Sequence, residues 1–280
     1  MSHTKSVKDF YEHNTRRFLR WGGGTREAVI HREVWGPGVG TKAAAFHYVH
    51  QLLLEQVNRQ EANPVHLLDL GCGVGSSLFY LCRHAQQPCK ATGISVSPTQ
   101  IATAETLARE NGLAAQCAFI EADFLNLPSV PPVNLAYSIE AFVHAADAAG
   151  YFREAAATLS QGGRLVLIDD MLETDVSESD AMRRDVARFR EGWRLGSLHT
   201  VEAIEQFARG AHLSLVENNN LTSYLNLGRP RDYFIKALFI LPGITALNPT
   251  YLRSLDGGDA LQTCLKKGWV SYRMLVFEKA

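Results

Sequence analysis

His66-Leu-Leu-Asp-Leu-Gly-Cys-Gly-Val-Gly75 runs from an apolar stretch of strand length into a segment with helical spacing. Glycines at 71, 73 and 75 allow a tight turn in which the backbone approaches a ligand with no Cβ in the way. The spacing is G-x-G-x-G. The dinucleotide fingerprint G-x-G-x-x-G would place its third glycine at position 76, where this chain has Ser76. Asp69, two residues before the first glycine, offers an anion to an ammonium group. A nucleoside with an amino-acid tail needs that anion and a close backbone, but no pyrophosphate cradle. A dehydrogenase is disfavoured on these grounds, and a ligand-free strand-to-helix turn is the plain alternative.

Around this loop, apolar runs of strand length alternate with helical stretches. The runs are VHLLDL (65–70), KATGISV (90–96), CAFIEA (117–122), VNLAYSI (133–139) and RLVLIDD (164–170). SSLFYLCRHA, SPTQIATAETLARENG and AAGYFREAAATLSQGG lie between them, the second opening on Ser-Pro and the last two closing on Asn-Gly and Gly-Gly. Nearly all-apolar strands alternating with helices predict an α/β fold, with a doubly wound, mostly parallel sheet covered on both faces. Residues 1–62 read as a helical N-terminal cap, and 63–280 as the core. Charged or helical insertions at about 171–199 and 222–270 are expected to form a lid, because insertions at strand ends border the ligand crevice.

Composition sets the outer bounds. The 280 residues are 46% hydrophobic and 20% charged, and the formal net charge is -1, so no global field draws the chain to nucleic acid or an anionic membrane. No apolar run is long enough to span a bilayer, and MSHTKSVKDF lacks the apolar run of a signal peptide. Cysteines 72, 82, 89, 117 and 264 contain no Cys-x-x-Cys pair, which predicts reduced thiols, a cytoplasmic location and no metal.

Three further motifs sit just outside a strand's carboxyl end or lead into the next strand. They are Gly93-Ile-Ser-Val-Ser-Pro-Thr-Gln100, Glu121-Ala-Asp-Phe124 and Leu159-Ser-Gln-Gly-Gly-Arg-Leu-Val166. Asp123 and Phe124 can bond an adenine amino group and cover its face. With these motifs in this order and spacing, residues 64–280 resemble the S-adenosylmethionine-dependent methyltransferases. The resemblance implies a seven-stranded Rossmann-like sheet and a cofactor site of Asp69, Gly71, Cys72, Gly73, Ser95, Gln100, Asp123, Phe124 and Ser138. Most members carry an acidic residue for the ribose hydroxyls where this chain has Ser95, so Gln100 is expected to share that contact. GISVSPTQ and Tyr137-Ser-Ile-Glu-Ala-Phe-Val-His144 are similar to the carbon methyltransferases of sterols, tocopherols and cyclopropane fatty acids. FYEHNTRRFLRWGGG and IHREVWGPGV resemble enzymes that methylate prenyl diphosphates.

Methylating an alkene leaves a carbocation that the site must stabilise and then deprotonate. Aromatic faces suit the first task at roughly 0.5–2 kcal/mol per ring, with Phe10, Tyr11, Trp21, Phe142, Trp193 and Tyr224 as candidates. A placed base contributes on the order of 10²–10⁴ in rate. Glu140 and His144, four apart after the fourth strand, are the candidates, joined by Tyr224 as a third catalytic residue. Arg16, Arg20, Arg26 and His31, among the basic residues that also include Arg17 and Arg32, are candidate anchors for a diphosphate. Tyr11, Trp21, Phe142 and Trp193 are expected to touch the isoprenoid. A second reading has Glu140 or His144 deprotonate a sterol, quinone or other hydroxylated metabolite. A third is a binding module without catalysis. The expected partner is a small lipophilic molecule, with no nucleic acid, no membrane insertion, and a homo-oligomer through the N-terminal helix as an option.

Overall fold

The computed structural model describes residues 3–21, 29–174, 176, 179–228 and 249–280. Seven strands form one sheet: β1 Val65–Leu70, β2 Cys89–Ser95, β3 Cys117–Glu121, β4 Val133–Ile139, β5 Leu159–Leu172, β6 Leu213–Asn220 and β7 Val270–Lys279. Their order is β3-β2-β1-β4-β5-β7-β6. The first five run parallel, while β7 is antiparallel to both β5 and β6. The order reverses between β1 and β4, so a crevice opens at their carboxyl ends, where open α/β sheets bind ligands.

The period-two alternation of the strands feeds two separate cores. Leu67, Leu135, Tyr137, Val166, Ile168, Tyr272 and Met274 pack with helices α2 (Lys42–Asn58) and α3 (Ser76–His84). Leu68, Ala136, Leu165, Leu167, Leu275 and Phe277 pack instead with α5 (Ala148–Thr158) and α7 (Val201–Gly210). Between these lies α4 (Pro98–Glu110), whose Ser97 N-cap accepts from the Gln100 N–H at 3.1 Å, with proline at the first turn.

The expected boundary of the fifth strand shifts. Leu159 already pairs with Val133, and the Ser160–Gly163 stretch forms an irregularity before the register resumes at Arg164. LSQGG therefore belongs to the strand rather than to the end of a helix, because Gly162 takes a positive φ of 69° there.

The two insertions pack on each other. Helix α6 (Asp180–Trp193) presents Met182, Val186 and Phe189 to Ala260, Leu261, Cys264 and Leu265 of helix α8 (Pro249–Lys267). Arg188 ties the pair together through Asp185 (2.9 Å), Asp256 and Asp259 (3.0 Å). The N-terminal segment supplies helix α1 (His3–Trp21), which lies over the carboxyl ends of the sheet through contacts set out below.

Candidate active site at the carboxyl ends of the strands

The loop after β1 turns because its glycines must. Gly71 has φ 106°, and both its N–H and that of Cys72 donate to the Ile94 carbonyl at 2.9 Å, binding the loop to β2. A Cβ on Gly71 would stand 2.4 Å from the Ala141 Cβ. Gly73 differs: at φ 53° a Cβ would meet nothing closer than the Ile30 side chain at 3.5 Å. That is ordinary contact, so the left-handed backbone rather than crowding selects glycine at position 73.

Asp69 lies beneath this loop, 2% exposed, and accepts from Ser77 Oγ at 2.6 Å, while Tyr137 donates to that same hydroxyl at 3.1 Å. Burial pushes its carboxyl up to about 7, against the pull of those hydroxyls. A buried carboxyl with hydroxyl donors and no cationic partner among the described residues fits an ammonium-bearing ligand. Cys72, 7% exposed, has its thiol raised by burial and serves the packing under Gly93.

Ser95 and Gln100 sit together as expected, buried at 6% and 4%, with Ser95 Oγ donating to Gln100 Oε1 at 2.8 Å. Their outer partner comes from α1. Gln100 Nε2 donates to Thr15 Oγ1 at 3.1 Å, and Glu12 accepts from Ser97 Oγ, Thr99 N–H (3.3 Å) and Thr99 Oγ1 (2.6 Å). Although burial opposes it, these hydrogen bonds from Ser97 and Thr99 hold the Glu12 carboxyl below the usual range. Sequence reasoning missed Glu12 and Thr15, since a polar residue on an amphipathic helix carries no sign of what it will face.

The same helix reaches β3. Thr4 donates to Asp123 Oδ2 at 2.8 Å, and Lys8 pairs with Glu121 at 2.6 Å. Asp123 Oδ1 accepts from the Leu125 N–H at 2.9 Å. The Phe124 ring leans edge-on against Tyr151 at 5.3 Å. Ser138 is fully buried, with its hydroxyl 2.9 Å from that of Tyr151.

Glu140 follows β4 in a left-handed conformation, φ 51°, its N–H donating to the Ile168 carbonyl at 2.8 Å. Three donors converge on one of its oxygens. Oε1 accepts from the Arg32 N–H (3.1 Å) and from Tyr272 OH (3.0 Å), and lies 2.9 Å from Arg32 Nε. No described residue bonds Oε2. Arg32 also makes a two-pronged bond to Asp170 at 2.9 and 2.7 Å and lies over the Tyr272 ring at 4.5 Å. Its guanidinium is therefore consumed by carboxylates and is not a phosphate anchor.

His144 closes the 3₁₀ turn Phe142–His144, 5% exposed. Its Nδ1 faces the Arg194 carbonyl at 3.3 Å and its Nε2 the Tyr11 hydroxyl at 2.9 Å. A carbonyl only accepts, so Nδ1 carries the proton and Nε2 accepts from Tyr11. Burial pushes the imidazole down to about 4, so the ring is neutral at physiological pH. Glu140 and His144 thus have separate partners, and no hydrogen bond joins them among the described residues.

Other expected site residues fall elsewhere. Phe142 is a core residue, 0% exposed between Tyr151 and Phe152, and cannot touch a substrate. Tyr224 packs on Tyr48 at 6.0 Å, and the tyrosine that reaches Glu140 is Tyr272 of β7. Trp193 donates from its indole to the Ser254 carbonyl at 3.0 Å and lies 6.4 Å from the Phe10 ring. His31 bonds His50 at 2.8 Å. The side chains of Arg16, Arg20 and Trp21, and the whole of Arg26, lie outside the described residues. No metal-binding group of three His, Cys, Asp or Glu occurs among the described residues, and no described helix is long and apolar enough to cross a membrane.

Residues 62–224 match a family described as a methyltransferase domain. The methyltransferase phqN of Penicillium fellutanum is 30% identical over 54% of this chain and 46% of its own length. Cycloartenol-C-24-methyltransferase 1 of Oryza sativa subsp. japonica is 30% identical over 58% of this chain and 44% of its own. The chain thus spans about half the length of these curated relatives. A solved geranyl diphosphate methyltransferase in complex with GPP and sinefungin superposes with a TM-score of 0.77 at 15% identity, covering 100% of both chains. At that identity the likeness speaks for the fold.

Proposed function

This chain belongs to the methyltransferase-domain family, whose class I members use S-adenosylmethionine, and we propose that it methylates an alkene carbon of an isoprenoid, with a prenyl diphosphate as first choice. When bound, S-adenosylmethionine supplies an electrophilic methyl group on a sulfonium. The fit rests on the Gly73 backbone, Asp69 for the ammonium, and the Ser95–Gln100 pair for the ribose.

The observation that carries the carbon reading is the one-sided grip on Glu140. Any carboxylate is a weak base toward a hydroxyl, and here a guanidinium, an N–H and a phenol aim it by one oxygen. Such a base cannot readily strip a proton from a hydroxyl. It suffices for a carbocation, whose neighbouring C–H is strongly acidic. Held by Gly73, Asp69, Ser95 and Gln100, S-adenosylmethionine would supply its methyl group to the alkene electrons, with the sulfur keeping the carbon–sulfur bonding pair and the substrate left as a carbocation. The cation then gives a proton to Glu140 Oε2, and the C–H electrons close a new double bond. Its negative charge also stabilises the cation beforehand. Neutral His144 holds Tyr11 and adds no positive charge nearby. Tyr11, Phe10 and Trp193 supply aromatic surface around it.

The diphosphate falls to Arg16, Arg20 and Arg26, since Arg32 is spent on acids. A geranyl diphosphate enzyme shares the fold and a sterol carbon methyltransferase is a relative, which supports the same class. Other curated relatives are named as N- and O-methyltransferases, so the acceptor must be tested directly. Labelled S-adenosylmethionine incubated with prenyl diphosphates and their free alcohols decides it. Label on a carbon of a diphosphate is expected. Label only in the alcohols overturns the diphosphate assignment, and label on oxygen or nitrogen overturns carbon methylation.

A further inference from the structure

Three histidines outside the reaction centre form a continuous chain of nitrogens. His31 Nε2 lies 2.8 Å from His50 Nε2, and His50 Nδ1 lies 3.0 Å from His47 Nδ1. His50, on α2, is 0% exposed. At the inner end, His31 Nδ1 faces the carbonyl of Arg32 at 3.1 Å, the residue that grips Glu140. At the outer end, partly exposed His47 stacks on Tyr80 of α3 at 4.6 Å, and Tyr80 stacks on His84 at 4.2 Å.

Hydrogen-bond chemistry assigns the protons. The Arg32 carbonyl only accepts, so His31 carries its proton on Nδ1 and accepts at Nε2. His50 must then donate from Nε2 and accept at Nδ1, which leaves His47 to donate from Nδ1. All three rings are neutral, with one proton in each nitrogen–nitrogen bond. One more proton breaks none of these bonds. Added at His47 Nε2, it is followed by transfer of the bridging proton from His47 to His50, and of the next from His50 to His31. The charge then rests on His31, and His50 and His47 are neutral with their tautomers exchanged.

We propose that His31, His50 and His47 act as one ladder that seats Arg32 against Glu140 and carries a proton between the α2 surface and His31, beside that pair, with His50 as the positioning residue on which both roles depend. The groups facing the ladder define its response to pH. Glu140 faces His31 and favours its charge, while Arg32 and the neighbouring imidazoles oppose it. Tyr80 faces His47 and His50 from α3. Burial pushes His31 and His50 down from the ordinary histidine range, so acidification is what places the extra proton on these buried rings. A cation on His31 then offsets the charge of Glu140 and slows turnover. This last consequence rests on the assignment of Glu140 as proton acceptor, but the ladder itself does not.

The test is nitrogen NMR of histidine-labelled protein without cofactor, paired with pH–rate profiles. At neutral pH, His31 and His47 should show the Nδ1–H tautomer and His50 the Nε2–H tautomer. On acidification the three should shift at one common midpoint. Three separate midpoints, or an Nδ1–H tautomer for His50 at neutral pH, overturn the ladder. His50→Gln can donate to His31 and accept from His47 but cannot pass a proton on. It should keep kcat at neutral pH within about threefold and displace the acid limb of the profile. His50→Phe should lose roughly tenfold or more in kcat at neutral pH with the cofactor KM little changed. An acid limb unmoved in His50→Gln overturns the coupling to turnover. Wild type inactive on every isoprenoid sinks the functional reading alone, since the NMR pattern is read without substrate.

Discussion

Arg32 holds Glu140 by one oxygen. Its N–H and Nε both reach Oε1, at 3.1 and 2.9 Å, and leave Oε2 without a described partner. Residues more than a hundred positions apart in the chain thereby aim a carboxylate whose Oε2 is the proposed proton acceptor. Replacing Glu140 by Gln keeps a similar shape but removes the charge and the proton acceptor. Methyl transfer should fall about 10²–10⁴-fold, with S-adenosylhomocysteine affinity changed by less than about threefold. Single-turnover transfer and calorimetry measure the two, and a large loss of affinity with an unchanged chemical step would reverse the assignment.

Arg32 should also matter to stability. Arg32→Met removes the partner of Asp170, which is 2% exposed, and of Glu140. Stranding one side of a buried ion pair costs about 3–5 kcal/mol. Denaturant unfolding should show a loss in that range, and adding Asp170→Asn should recover part of it. Additive losses in the double variant would mean that the two residues do not act as a pair.

Asp69 predicts a proton linkage. Its carboxyl is raised from 3.8 to about 7 in the free protein, so at pH 6 it is mostly protonated. A raised pKa contributes stability that is complete below 3.8 and lost as pH rises through about 7. An ammonium placed beside Asp69 favours the ionised form. Binding S-adenosylhomocysteine should therefore release a proton below pH 7, and its affinity should rise with pH and then level off. Calorimetry in buffers of different ionisation enthalpy reads the proton directly. Asp69→Asn should abolish the release.

Gly71 is constrained twice, by its φ of 106° and by the Ala141 side chain 2.4 Å from where a Cβ would lie. Gly71→Ala should destabilise the protein by roughly 1–3 kcal/mol from backbone strain alone, with the clash in addition. Adding Ala141→Gly removes the clash but not the strain, so rescue should be partial. Full rescue would show that crowding alone demands the glycine.

Among the described side chains that hold helix α1 over the sheet, Glu12 grips the start of α4 through Ser97 and Thr99. Glu12→Ala should speed hydrogen exchange across residues 3–15 by several-fold, since local opening reports local contacts. Exchange in β1 and β4 should stay as slow as in the parent. Uniform acceleration throughout the sheet would point to global destabilisation instead.

The glycine loop, the alternation of apolar runs and the Ser95–Gln100 pair are local features, and each was legible along the chain. Strands buried on both faces must be apolar throughout, and a turn at positive φ selects glycine. The placement of Glu140 and His144 after the fourth strand was legible for the same reason. Their partners were not. Tyr272 meets Glu140 only because β7 inserts beside β5 in reverse direction, and nothing in its neighbourhood distinguishes it from Tyr224. Phe142 reads as a substrate aromatic, yet the chain's turn buries it among Tyr151 and Phe152. Arg32 reads as one basic residue among several until Asp170, at the end of an apolar strand, claims it.

The alternation of apolar runs and helices determined the α/β sheet, and the G-x-G-x-G loop together with the three motifs downstream of it carried the resemblance to the methyltransferases. Backbone conformation and burial there depend on neighbours within a few residues. Which oxygen of Glu140 meets Arg32 and Tyr272, and that His31, His50 and His47 come into line, only the tertiary structure decided. Those properties are set by single hydrogen bonds between segments far apart in the chain, and no local pattern encodes a partner that arrives from another strand.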